Sequence, residues 1–159
     1  MSAILDPHPT TLGREVFIAR FGGIYEHSSW IGEAAFAEGL GPRDDTVEGL
    51  AARLRRIVEA AGPERQLALL GAHPELAVAG ALTAESSSEQ ASAGLDRCTP
   101  DEFARFTELN ARYGARFGHP FIIAVRGLTR AKILEAFERR VGNEPAIELR
   151  TALDEVHKI

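Results

Sequence analysis

The stretch "LLGAHPELA" (69–77) sets His73 between a helix-like apolar run and Pro74. A residue before proline is restricted towards extended backbone, so an imidazole there is held in one direction. Imidazole titrates near neutrality and can give or take a proton in water at ordinary pH. His73 is therefore a candidate proton donor. The plainer reading is a helix-end histidine that bonds a carbonyl or faces the helix dipole. A second unusual stretch is "AESSSEQASAGL" (84–95). Glu85 and Glu89 are one helical turn apart, and Ser86, Glu89 and Gln90 fall at i, i+3 and i+4 on one face. A hydroxyl, a carboxylate and a carboxamide together suit a polar heterocycle. The plainer reading here is a helix start, in which Ser86 caps, Glu89 reaches back and Gln90 is solvated.

The other histidines are less well placed. His8 and His157 lie near the ends, and His27 in "YEHSSW" suits a cap or turn. His119 precedes Pro120 beside an apolar run. There is no HExxH, no CxxC and no histidine pair at i and i+4, so no metal site is expected. No glycine-rich phosphate loop and no GxSxG nucleophile elbow is present. The single cysteine, Cys98, excludes an internal disulfide framework. A net charge of −5 argues against nucleic acid or an anionic membrane surface as partner. No signal peptide and no bilayer-spanning run is apparent, so a soluble cytoplasmic protein is expected.

The elements that must hold these side chains are helical. With 159 residues, 45% hydrophobic and 26% charged, the chain suits one domain with an ordinary core. Thr10 or Thr11 starts a helix carrying Val16 and Phe17 and closed by Gly22 and Gly23. Another runs from Ser29 to Glu38. Asp45 or Thr46 begins an amphipathic helix with Val47, Leu50, Leu54, Ile57 and Val58 in phase. Pro63 opens the next, which runs to His73. The segment Thr83 to Leu95 is expected to be helical from its serines onward. "TPDEF" is a strong start: Thr99 caps, Pro100 takes the first position and Glu102 completes a capping box. Thr129 and Asn143 are expected to cap the last two helices. The first presents Ile133, Phe137 and Val141; the second presents Ala146, Leu149, Leu153 and Val156. "HPFIIAVRG" (119–127) is short, continuous and apolar, with no partner strand in sight. It reads as a buried extended connector whose backbone groups need partners, a ligand among them. The expected fold is all-α: a single-domain compact bundle of about seven or eight helices over residues 1–159, with one buried extended connector.

Three stretches, "GAHPELA" (71–77), "ESSSEQASAGL" (85–95) and "LNARYGARFGHPFIIAVRG" (109–127), together resemble one family. "FGGIYEHSSWI" (21–31) and "RRVGNEPAIELRTALDEVHKI" (139–159) extend the likeness almost end to end. It is similar to the 2-oxo-4-hydroxy-4-carboxy-5-ureidoimidazoline (OHCU) decarboxylases of urate breakdown. The resemblance implies an all-helical, cofactor-independent homodimer that removes CO2 from its substrate to give (S)-allantoin. It implies His73 as the catalytic histidine and Glu89 as its partner carboxylate. It places Ser86, Ser87, Ser88 and Gln90 on the substrate, Pro74 in the pocket wall, and Phe121, Ile122, Ile123, Ala124, Val125 and Arg126 along the substrate ring. The small-molecule substrate is the expected partner, with hydroxyisourate hydrolase a candidate associate. His119 departs from the aromatic or apolar residue that the family sets before "PF". The family's tail arginine, which meets the substrate carboxylate, has no match: either the sequence is a shortened piece or another cation, with Arg126 the candidate, substitutes. Two other readings stand beside this one: the same scaffold acting on a related ureido or hydroxy acid, and a non-catalytic helical interaction module.

Overall fold

The computed structural model describes residues 3–77, 90–91 and 93–159. Seven α-helices and no β-strand stand among the described residues, so the chain is all-α. It divides into two compact units, Met1–Ala72 and His73–Ile159.

The first unit holds α1 (Arg14–Phe21), α2 (Trp30–Glu38), α3 (Val47–Ala60) and α4 (Pro63–Gly71). Thr46 caps α3, its hydroxyl accepting from the Gly49 amide at 3.1 Å. Leu50, Leu54 and Val58 then fall four residues apart and are buried as one stripe. A Cβ on Gly49 would stand 1.7 Å from the Arg43 carbonyl oxygen, so only glycine admits the 3₁₀ turn Pro42–Asp45 at that distance. Phe17 packs on Phe21 and Phe36 at 5.2 and 5.6 Å between ring centres. Two expectations change. Gly13, not a threonine, precedes α1, because Thr10 is engaged elsewhere, its amide and hydroxyl both bonding the Asp45 carboxylate. And α4 ends at Gly71, short of His73, since Pro74 disfavours helical backbone in the residue before it.

The second unit is built on α5 (Pro100–Phe117), α6 (Arg130–Arg140) and α7 (Pro145–Lys158). The capping box at Thr99 and Glu102 forms as the sequence suggests, at 3.2 and 3.0 Å. Thr129 caps α6. Asn143 does not cap α7: Pro145 occupies the first position, which makes Glu144 the N-cap. The buried face of α7 is accordingly Glu148, Ala152, Leu153 and Val156, and Ala146 is exposed. Phe106, Leu109 and Tyr113 of α5 and Ile133 and Phe137 of α6 form the core with Leu76, Leu95, Phe121, Ile123 and Val125. Phe121 and Phe137 stack at 3.9 Å and 9°. The helix expected over Thr83–Leu95 lies mostly outside the described residues. Residues 90–91 are helical, and Gly94, at φ +80°, turns the chain into the 3₁₀ turn Leu95–Arg97. A Cβ at Gly94 would also meet the Arg130 guanidinium at 2.9 Å.

Candidate active site

The site candidates that the structure describes belong to the second unit. His73 opens it, just past the end of α4, and is 8% exposed. Its ring is thus inside the protein, on a turn and not on a helix surface. Pro74 is half-buried and Glu75 exposed, while Leu76 and Ala77 enter the core. Two buried side chains fix this turn. The Asn110 amide Nδ2 donates to the Leu76 carbonyl at 3.1 Å, and the Ala77 N–H donates to Gln90 Oε1 at 3.2 Å. Ala77 itself sits at φ +56°, left-handed backbone that a residue with a Cβ seldom adopts unless held there.

Gln90 is therefore buried, not solvated, and its oxygen is used by the chain. Ser86, Ser87, Ser88 and Glu89 lie outside the described residues.

The connector runs as irregular backbone after Gly118. Phe121, Ile122, Ile123 and Val125 are buried, Ala124 is half-buried, and Arg126 is exposed on the turn with Gly127. Protein side chains meet two of the backbone groups that the sequence left open. The Ile122 carbonyl accepts from Arg140 Nη1 at 2.8 Å, and the Ala124 N–H donates to Glu155 Oε2 at 3.3 Å. His119 takes an aromatic's place: it stacks on Phe117 at 6.0 Å and 26° and meets Tyr113 edge-on at 5.5 Å. Its Nδ1 lies 3.0 Å from the Pro120 carbonyl, so that nitrogen carries the hydrogen.

Arg140 belongs to a buried network that sequence reasoning missed. It contacts Glu148 through Nε and through Nη2, the latter at 3.0 Å, and lies 4.4 Å over the Phe121 ring. The Tyr113 hydroxyl and Asn143 Nδ2 also donate to the Glu148 carboxylate. Burial alone would raise the Glu148 carboxyl, but the bonds from Arg140 and Tyr113 outweigh it and hold it below the usual carboxylate range. Burial, then the bond to Glu148, pushes the Tyr113 hydroxyl up, so it stays a donor. A signal was available: Arg140 and Glu148 stand in phase with the apolar stripes of α6 and α7, where a charge must find a partner. Asn110 stands likewise among the buried positions of α5.

Among the described residues, no group of three or more His, Cys, Asp or Glu stands together as a metal site requires. The arrangement offers one buried imidazole on an anchored turn and one apolar backbone segment fixed at two points. An imidazole is a group that can give or take a proton.

The OHCU decarboxylase family model matches residues 10–159. The chain is 43% identical to the 2-oxo-4-hydroxy-4-carboxy-5-ureidoimidazoline decarboxylase of Haloferax volcanii, over 93% of this chain and 86% of that protein. It is similar to a crystal structure of (S)-allantoin synthase, with TM-score 0.76 and 32% identity over 94% of this chain; it spans 49% of that longer chain. It is also similar to a crystal structure of OHCU decarboxylase in the presence of (S)-allantoin, with TM-score 0.66 and 26% identity over 82% of this chain and 84% of that one. The buried histidine on its anchored turn thus sits in a chain matched from near its start to its last residue, and the protein belongs to the OHCU decarboxylase family.

Proposed function

We propose that this chain removes CO2 from OHCU to give (S)-allantoin in urate breakdown, with His73 as the acid–base group and Glu89 as its partner. One observation carries the reading: His73 is buried on a turn anchored by core side chains, in a chain that the family matches over residues 10–159. That single span also supports treating the two units as one functional domain.

The chemistry suits these residue types. The bond from C4 to the carboxylate breaks and CO2 leaves. The electron pair left behind moves into the adjoining ring C=N, whose nitrogen takes a proton. The 4-hydroxyl then gives up its proton to become a carbonyl, and C5 receives one. The substrate supplies its own electron sink, so the reaction calls for no cofactor. The protein must hold the carboxylate, relay the hydroxyl proton and protonate C5 from one face. An imidazole near neutral pKa suits the relay, and a positioned acid–base group is worth about 10²–10⁴-fold. Glu89 would orient the ring or balance its cation. Ser86, Ser87, Ser88 and Gln90 would bind the ureido group, with Pro74 at the wall. The backbone from Phe121 through Ile122, Ile123, Ala124 and Val125 would hold the ring. Arg126, exposed at the end of the connector, is the candidate for the substrate carboxylate. The reading extends to a homodimer in the cytoplasm and to association with hydroxyisourate hydrolase, whose short-lived product is the substrate. The family resemblance supports these points.

The test generates the substrate in place from urate with uricase and hydroxyisourate hydrolase, then separates the allantoin enantiomers. An excess of (S)-allantoin formed in proportion to added protein is expected. Racemic allantoin at the background rate would overturn the reading and favour a related ureido acid as substrate.

A further inference from the structure

Asn110 is 5% exposed on α5, among Phe106, Leu109 and Tyr113, where the helical period calls for an apolar side chain. Its Oδ1 is buried and has no hydrogen-bond partner among the described residues. Only its Nδ2 has a visible use, the bond to the Leu76 carbonyl 34 residues away in sequence. A buried amide with one end unused among the described residues fills a core less well than an apolar residue would. What the amide supplies is a fixed position for Leu76. The next residue, Ala77, is the left-handed one at φ +56°, and its N–H is taken by Gln90. The two bonds hold adjacent residues of one turn in a conformation that would otherwise relax. Between Leu76 and His73 lie Pro74, which fixes its own φ and limits its neighbour, and the exposed Glu75. Pro74 thus stiffens the short path from the anchored Leu76 to the imidazole.

We propose that Asn110, acting with Gln90 on the left-handed turn at Ala77, is a positioning residue that aims the His73 ring; this rests on the reading of His73 as the acid–base group. The buried Oδ1 is closed to solvent, so Asn110 does not act by touching substrate. Misplacing a reacting group by about 1 Å can cost on the order of 10²-fold.

Three variants test this. Asn110→Leu fills the same space without the donor, and Asn110→Ala serves where leucine does not fold. Ala77→Gly keeps every hydrogen bond and relieves the left-handed strain, but it widens the range of φ and ψ open to the turn. Each is read by the kcat and KM of allantoin formation, by the thermal midpoint, and by NMR of histidine-labelled protein. In that spectrum the His73 ring signal is identified by its loss in His73→Asn. The expected result is a kcat about tenfold lower with KM within about twofold. The His73 signal broadens or doubles while that of His119 keeps its shape. Ala77→Gly shows this without a lower melting point. Variants with lower melting points but unchanged kcat and a single sharp His73 signal would overturn the proposal. If the wild-type chain forms no (S)-allantoin, the proposed function fails and the ring spectra still decide the positioning role.

Discussion

Glu148 is fully buried, and a carboxylate stripped of water persists only where charges and hydrogen bonds replace that water. Arg140, Tyr113 and Asn143 supply them. Removing one partner of such a pair leaves an uncompensated charge and costs about 3–5 kcal/mol, whereas replacing both with apolar groups is often neutral. Arg140→Met should therefore lower unfolding free energy steeply, and Arg140→Met with Glu148→Leu should recover most of it, as urea titration would show. The same pair sets an acid limit. The folded carboxyl is held below its unfolded value, so its stabilisation is full at neutral pH. It begins to fall near the ordinary glutamate range, about pH 4.3, and is lost only as pH drops through the lower folded value. Glu148→Gln should flatten that part of the stability profile. His73 was legible because Pro74 advertises its backbone. Glu148 was less so, because a charge in phase with an apolar stripe says that a partner exists without saying which.

Helix ends were the elements most legible in sequence, because caps and prolines act locally. Thr99 and Glu102 close the capping box that their spacing announces, and Thr46 and Thr129 cap as their positions suggest. Thr99→Ala should cost about 1 kcal/mol, read by thermal or urea melting, with (S)-allantoin formation unchanged below the transition. Errors arose where a distant group competed for the local one. Thr10 is drawn to Asp45 and Asn143 to Glu148, so neither caps the helix beside it. The connector belongs to the same class. Its apolar run was plain, but Arg140 and Glu155 satisfy it from 18 and 31 residues away, beyond the reach of any local pattern.

At the scale of the molecule, periodicity alone gave an all-α chain, and seven helices among the described residues agree. None is long and apolar enough to cross a membrane. What periodicity leaves open is pairing: it gives the phase of each helix and not its neighbour. The bonds from Asn110 to Leu76 and from Tyr113 to Glu148 span 34 and 35 residues, and they hold the candidate site together. The family match supplies the chemistry that composition cannot, and the fold buries His73, the imidazole proposed for it. In this reading His73 moves the proton that sets the product's handedness. Circular dichroism at an allantoin-sensitive wavelength tests it most directly, with the substrate generated in place and wild type compared with His73→Asn. A rapidly rising (S)-allantoin signal is expected for the wild type, and its loss, by about 10²-fold or more in rate, in the variant. A His73→Asn protein that kept both the rate and the (S) signal would contradict it.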